Sequence, residues 1–176
     1  MCLDTNGILC TLIPKNSKDK IDDSVIQCNS NNIKFIPRPE LDRFIYLIAT
    51  TFDTIFYTCR TKKNAQDILQ KLSEISSPIK QIYDVDGENL LHQSHCQKIS
   101  DTKFKKDVKV VQASMRNEND IEYPLNEILM IDDSPEKFDQ SLNNLIVFKT
   151  LTYDDKDSKL LSIQQYKFLQ CLKKNS

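Results

Sequence analysis

Three short apolar segments of the sequence each end abruptly at polar residues, and a turn or a helix-like stretch follows each of them. These segments span residues 1–3, 54–57 and 128–131. After the second segment, apolar residues recur at helical spacing between 62 and 72. A strand followed by a helix, repeated along the chain, is typical of a parallel sheet. We therefore predict an α/β fold with a central parallel sheet flanked by helices, and with small insertions after the first and third strands.

The chain length favours one domain. With 176 residues the chain has the usual size of a single compact unit, and we predict one domain over residues 1–176. The polar segment 14–32 predicts an exposed excursion after the first strand. Residues 40–50 have the apolar spacing of an amphipathic helix, and residues 156–174 predict a last helix.

Two further segments are less regular. Residues 79–97 contain a strand-like pair at 82–83 and a turn at Asp86 and Gly87, which suggests a hairpin-like insertion. After the third apolar segment, a turn at Ser134 and Pro135 leads into a short stretch of predicted helix that reaches residue 142.

Composition excludes several classes of function. The chain has 24 Lys and Arg against 25 Asp and Glu, so no global positive field exists and we expect no direct nucleic-acid partner. No apolar run approaches the roughly 18 residues of a membrane span, and we expect no membrane partner. The only glycines are Gly7 and Gly87, which excludes the clustered glycines of dinucleotide and Walker A phosphate loops. Without a secretory signal at the N-terminus, we expect a cytoplasmic or nuclear location.

Candidate functional residues follow the three predicted strands. Asp4 follows the first strand, Thr58 the second, and Asp132 with Asp133 the third. Because ligands bind beyond the carboxyl ends of the strands in open α/β sheets, we expect these side chains to converge at one edge. Carboxylate oxygens are the ligands that Mg²⁺ prefers, and a hydroxyl with a nearby lysine would complete a phosphoryl site. A simpler alternative for the Asp pair before Ser134 and Pro135 is a turn and helix cap.

The order of these motifs resembles a known group of proteins. The segments LDTNGIL, IFYTCRTK and LMIDDSPEKF resemble motifs I, II and IV of the haloacid dehalogenase superfamily. Within it the chain looks like the CTD phosphatase-like, or NLI-interacting-factor, family, whose members include RNA polymerase II tail phosphatases. The segment FIPRPELDRFI is similar to that family's entry to its first helix. The resemblance covers residues 4–150 and implies the Rossmann-like sheet of that superfamily.

The resemblance also implies roles for individual residues. Asp4 matches the nucleophile that forms an aspartyl-phosphate, and Thr58 matches the hydroxyl that binds the phosphoryl group. Lys106, which precedes an aspartate, is the favoured motif III lysine, with Lys105 second. Asp133, together with Asp132, matches the acids that position Mg²⁺. The implied function is a Mg²⁺-dependent phosphatase acting on phosphoserine or phosphothreonine in a protein or peptide.

One departure from the family pattern concerns Asn6. Active members carry an aspartate at this position as general acid and base, and an amide cannot take that role. The loss of such a group is typically worth about 10²- to 10⁴-fold in rate. The backbone carbonyl of Asn6 can still serve as a metal ligand. The sequence therefore leaves two interpretations: a weakened enzyme, or an inactive pseudophosphatase that binds a phosphoprotein or another partner.

Three weaker candidates lie elsewhere in the chain. His92, His95 and Cys96 fall within five residues and suggest zinc, although an exposed loop explains them better. The basic stretch 103–109 suggests contact with an acidic peptide or nucleic acid, and a solvated face explains it equally well. Cys59, next to Thr58, is either oxidisable or a small core residue.

Overall fold

The computed structural model describes residues 1–13, 26–28, 33–83, 88–116, 119–138 and 143–150. Within these ranges the strands are β1 (Cys2–Leu3), β2 (Cys10–Ile13), β3 (Ile26–Cys28), β4 (Ile33–Pro37), β5 (Ile55–Tyr57), β6 (Leu90–Leu91), β7 (Gln97–Lys98), β8 (Phe104–Lys105), β9 (Met130–Asp132) and β10 (Leu145–Val147). The helices are α1 (Leu41–Ala49), α2 (Lys62–Ile75), α3 (Ser77–Ile82) and α4 (Val108–Ser114), with short 3-10 turns at Gln93–His95, Leu125–Glu127 and Pro135–Lys137.

The central sheet has the strand order β10-β9-β1-β5-β6, and all four strand pairs are parallel. The short β1 lies in the middle, where Leu3 pairs with Phe56 of β5 on one side and with Ile131 of β9 on the other. The predicted parallel α/β sheet and its three sequence-predicted strands are confirmed.

Alternation along the strands divides the core into two layers. Leu3, Phe56 and Ile131 belong to one buried cluster, which also contains the apolar faces of α1, α2 and α3. Their neighbours Cys2 and Ile55 belong to a second cluster, which packs against α4 on the opposite face of the sheet. This is the period-two pattern of strands covered on both faces. The sheet is therefore held rigidly between helices, which fixes the positions of its strand ends.

Two small antiparallel sheets complete the described architecture. The first follows β1 and has the order β2-β4-β3. The second, formed by β7 and β8, follows β6 and precedes α4. The first is the insertion predicted after the first strand. The second follows β6, the third strand of the main sheet in chain order, and so precedes the third sequence-predicted strand, β9. Within the predicted 14–32 excursion the structure describes only β3.

The strand predicted at 82–83 is wrong. These residues lie at the end of α3, and the third strand of the sheet is β6 instead. Ser76 caps α3 by accepting a hydrogen bond from the Ile79 N–H, Pro78 stands in its first turn, and Ile79 and Ile82 are buried one turn apart. These are helix signals, and they outweigh the β propensity of an isolated Ile-Tyr pair.

The other predicted helices have mixed outcomes. Helix α1 matches the prediction over 40–50, and α2 extends the predicted segment to Ile75. After β9 the structure describes a 3-10 turn, Pro135–Lys137. The predicted turn at Asp86 and Gly87, the position of Leu142 and the predicted last helix at 156–174 lie outside the described residues. Among the helices that the structure describes, none is long and apolar enough to cross a membrane.

Candidate active site at the carboxyl edge of the sheet

Three neighbouring strands of the central sheet end in the polar residues that the sequence singled out. Asp4 directly follows β1, Thr58 directly follows β5, and Asp132 is the last residue of β9. All three are buried. Because β1 pairs in parallel with both neighbours, their carboxyl ends lie at the same edge of the sheet. Asp4, Asn6 and Thr58 line a shared open groove of about 920 Å³.

Asp4, Asp132 and Asp133 form an acidic cluster at this edge. One carboxylate oxygen of each lies within 4.8 Å of the others, and no other such group of three metal-binding side chains occurs among the described residues. Ser134 orients two of these carboxylates by hydrogen bonds. Its N–H donates to Asp132 Oδ1 at 2.9 Å, and its hydroxyl donates to Asp133 Oδ1 at 2.8 Å. Three converging carboxylates are the hard oxygen ligands that suit Mg²⁺, so the donor set fits that ion.

Lys106 is the cation buried against this cluster. Its Nζ lies 2.6 Å from Asp132 Oδ2, 3.0 Å from Asp4 Oδ1 and 2.6 Å from the carbonyl oxygen of Tyr57. The side chain enters the core because Lys106 stands between β8 and α4, whose N-terminus Asp107 caps by accepting from the Lys109 N–H at 2.8 Å. Of the two candidate lysines, Lys106 contacts the acids, whereas Lys105 lines the groove.

The loop after Asp4 is shaped by Gly7. Gly7 has a φ of 85°, a left-handed conformation that favours glycine. A Cβ added to Gly7 would lie only 2.0 Å from Asp133 Oδ2, so the missing side chain leaves room for that carboxylate. Arg38 supports the same loop from the core, because its buried guanidinium donates to the carbonyl oxygens of Gly7 and Ile8. The sequence pattern contained both residues, but their roles were not predicted.

A second lysine, Lys137, also reaches the acidic cluster. Its Nζ lies 3.0 Å from Asp4 Oδ2, 3.3 Å from Asp132 Oδ1 and 3.6 Å from Asp133 Oδ1. The sequence prediction missed it, although its position four residues after Asp133, beyond a Pro-containing turn, was a usable signal. The 3-10 turn at Pro135–Lys137 carries the side chain back over the strand end.

The sequence and the structure were compared with known proteins. A sequence model described as NLI interacting factor-like phosphatase matches residues 1–175. The chain belongs to this family. No curated protein sequence matches the NLI interacting factor-like chain.

Two solved structures resemble this NLI interacting factor-like domain. One is a substituted form of the fission yeast RNA polymerase II CTD phosphatase Fcp1 bound to beryllium fluoride, with a TM-score of 0.56 and 12% identity, covering 97% of this chain and 50% of that one. The other is Fcp1, described as an essential RNA polymerase II CTD phosphatase, with a TM-score of 0.59 and 14% identity, covering 98% of this chain and 48% of that one. The chain thus spans about half the length of these neighbours. At this identity the likeness shows a shared fold alone.

Burial and charge set opposite pKa shifts on the two central acids of this NLI interacting factor-like site. Burial alone would raise the pKa of Asp4, but the ammonium groups of Lys106 and Lys137 outweigh it and hold the pKa below its ordinary value. Burial, and then the charge of Asp4, raises the pKa of Asp132. Of these two acids, Asp4 is therefore the one that stays ionised more readily.

The two lysines stay charged. Burial opposes their protonated forms, but the negative charge of Asp4, joined by Asp132, raises the pKa of both Lys106 and Lys137. The site therefore combines the ionised carboxylate of Asp4 with two lysines that keep their positive charge.

The groove is lined by charged side chains of both signs. Besides Asp4 and Thr58, its lining includes the cations Arg60, Lys103 and Lys105, which suit an anionic ligand, and the acids Asp101 and Glu136. Thr58 Oγ1 accepts from the Arg60 N–H at 3.4 Å. In the basic stretch 103–109, Lys103 and Lys105 thus line the groove, Lys106 is buried in the site, and Lys109 is exposed.

The weaker candidates, which are the two histidines and the cysteines near them, lie in two different surroundings. His95 Nδ1 accepts a hydrogen bond from the His92 N–H at 3.0 Å, and the two rings pack edge to face. Neither histidine belongs to a group of three close metal-binding atoms in the described part of the chain. Cys59 lines the groove, and its Sγ lies 3.6 Å from Cys96 Sγ. The hydrogen bond from Cys96 lowers the pKa of Cys59 to about 7.

Proposed function

We propose that this protein is a phosphatase-like protein that acts on phosphoserine or phosphothreonine in a protein or peptide, through an aspartyl-phosphate on Asp4. The observation that carries the proposal is the convergence of Asp4, Thr58 and Lys106 at one strand edge, beneath an open groove. An open groove of about 920 Å³ whose lining includes Arg60, Lys103 and Lys105 accommodates a phosphorylated polypeptide segment. Membership of the NLI interacting factor-like phosphatase family supports the same reaction class.

The proposed metal is Mg²⁺, held by Asp4, Asp132, Asp133 and the backbone carbonyl of Asn6. When bound, Mg²⁺ would neutralise charge on the phosphoryl oxygens and on the acids that surround it. Side chains of the protein supply the other contacts. Lys106 pairs with Asp4 and places its positive charge beside that carboxylate, and the Thr58 hydroxyl donates a hydrogen bond to a phosphoryl oxygen.

The covalent steps require one group that this chain lacks. A carboxylate oxygen of Asp4 forms a bond to phosphorus while the ester P–O bond breaks, and the leaving alkoxide takes a proton from solvent water, to which the second step returns one. Water then attacks phosphorus, the bond to Asp4 breaks, and inorganic phosphate leaves. Asn6 lines the groove with Asp4 but can neither supply the first proton nor accept one from water. Both steps are therefore expected to be slow.

The second candidate function is a pseudophosphatase that binds a phosphoprotein without turning it over. Asn6 is the observation that favours it, because the amide removes acid–base chemistry and leaves the charged binding groups intact. The two functions share a ligand and differ in turnover.

Hydrolysis of p-nitrophenyl phosphate and of a phosphoserine peptide with Mg²⁺ separates the two candidates. We expect Asn6→Asp to raise kcat by about 10²-fold or more, with the larger effect on the peptide because its leaving group is poorer. Asp4→Asn in the same background should abolish turnover. Asn126→Asp, an exposed change of the same charge away from the groove, is the matched control and should leave the rate unchanged.

The binding of Mg²⁺ and beryllium fluoride decides between the candidates if Asn6→Asp shows no turnover. If Asn6→Asp stays inactive while Mg²⁺ and beryllium fluoride still bind, the pseudophosphatase function is the better description. If neither Mg²⁺ nor beryllium fluoride stabilises the wild type against thermal unfolding, the site is wrongly assigned and both candidates fail.

A further inference from the structure

The three carboxylates of the acidic cluster already share a cation that belongs to the chain. Lys137 Nζ lies between 3.0 and 3.6 Å from one oxygen each of Asp4, Asp132 and Asp133. These are the same side chains whose oxygens converge within 4.8 Å as a potential metal site. An ion bound about 2.0–2.1 Å from such oxygens would occupy the space that the ammonium group takes.

The two lysines of the site differ in how firmly they are held. The side chain of Lys106 is 1% exposed and also donates to the carbonyl oxygen of Tyr57, so it is fixed in the core. The side chain of Lys137 is 23% exposed and lines the groove, and its contacts at the site are all to carboxylates. Only Lys137 has an open path away from the acids.

The backbone of Lys137 is anchored although its side chain can leave. Its N–H donates to the carbonyl oxygen of Ser134 at 3.1 Å, and its own carbonyl oxygen accepts from the Lys106 N–H at 2.7 Å. A change of side-chain rotamer would therefore move Nζ into the groove without disturbing the 3-10 turn. The charge balance favours such an exchange, since two ammonium groups and a divalent cation would exceed the charge of three carboxylates.

We propose that Lys137 is an internal competitor of Mg²⁺: its ammonium group fills the metal position in the metal-free protein, and the ion must displace it into the groove. This inference rests on the proposed function for the identity of the metal site. Because the ammonium group of Lys137 lies among the three carboxylates, Lys137 lowers the affinity of the site for the metal.

Metal titration of a charge-deleted variant tests the proposal. Lys137→Met keeps the unbranched stem and removes the charge, and Lys103→Met makes the same change elsewhere on the groove. We expect calorimetry on the EDTA-treated proteins to show Mg²⁺ and Mn²⁺ binding to Lys137→Met on the order of tenfold tighter than to the wild type. Lys103→Met should bind these ions as the wild type does. Equal or weaker metal binding by Lys137→Met overturns the competition.

A second measurement uses the wild-type protein and does not depend on the folding of a variant. Acylation of Lys137 by succinimidyl acetate, followed by mass spectrometry, should speed up when Mg²⁺ is added, because the displaced side chain enters the groove. Unchanged or slower acylation refutes the displacement. If neither the wild type nor Lys137→Met binds Mg²⁺ or Mn²⁺, the metal site itself fails, and the proposed function fails with it. If the wild type and Lys137→Met bind the metal with equal affinity, only the role of Lys137 is refuted.

Discussion

Gly7→Ala tests whether the loop after β1 packs against the carboxylate of Asp133. Two costs are expected. The left-handed conformation, with a φ of 85°, costs a non-glycine residue about 1–2 kcal/mol. A more restricted unfolded chain offsets about 0.4–1 kcal/mol of this. The backbone alone therefore predicts a net loss of about 1 kcal/mol in the free energy of unfolding.

The second cost is a steric clash. The new Cβ would stand 2.0 Å from Asp133 Oδ2, whereas real Cβ contacts essentially never fall below 3.0 Å. The carboxylate must move by about 1 Å or more, away from its hydrogen bond with the Ser134 hydroxyl. Overpacking of this kind costs about 1–3 kcal/mol. The total expected loss is about 2–4 kcal/mol.

A double-mutant cycle separates the two costs. Urea unfolding in EDTA is measured for the wild type, Gly7→Ala, Asp133→Ala and the double variant. Because Asp133→Ala removes the atoms that clash, Gly7→Ala should cost only about 1 kcal/mol in that background, which gives a coupling energy of about 1–3 kcal/mol. Effects that add to within about 0.5 kcal/mol would refute the contact between Gly7 and Asp133.

The remaining predictions concern a buried charge and a reactive thiol. Lys106→Met should lower the free energy of unfolding by about 3–5 kcal/mol, because it removes the fully buried cation that pairs with both Asp4 and Asp132; a loss below about 1 kcal/mol in urea unfolding contradicts this. Alkylation of Cys59 by iodoacetamide, followed by mass spectrometry, should accelerate as pH rises through about 7, because the hydrogen bond from Cys96 lowers the pKa of Cys59 to that value and the thiolate is the reactive form. Cys96→Ala should move the midpoint upward, and an unmoved midpoint would exclude that hydrogen bond as the cause.

The sequence predicted the parallel sheet because its inner strands are short apolar runs with sharp polar ends. β1, β5 and β9 are buried on both faces, so each leaves a continuous apolar signal and a polar residue at the point where the chain leaves the core. β6 leaves no such signal, because two leucines at the sheet margin have no period to read. The strand was therefore placed at 82–83, where the capping of α3 decides the local structure.

The site was predictable where it depends on strand ends and not where it depends on turns. Asp4, Thr58 and Asp132 follow from strand order alone, since parallel strands bring their carboxyl ends together. The contact of Lys137 with the acids depends on the path of a 3-10 turn, and the fit of Gly7 to Asp133 depends on a single backbone angle. Neither contact produces a periodicity, and the spacing of Lys137 four residues after Asp133 is the one sequence signal for its contact.

The charged pairs at the strand edge are needed for folding as well as for chemistry. Asp4 and Asp132 are buried and almost inaccessible to water, so they require Lys106 whether or not the protein turns over a substrate. Their presence together does not distinguish an enzyme from a binding protein. Asn6 differs, because it lines the groove beside Asp4 and is not one of the charged groups in this balance. The amide of Asn6 is therefore the point at which turnover can be lost while the fold and the anion-binding groove are kept.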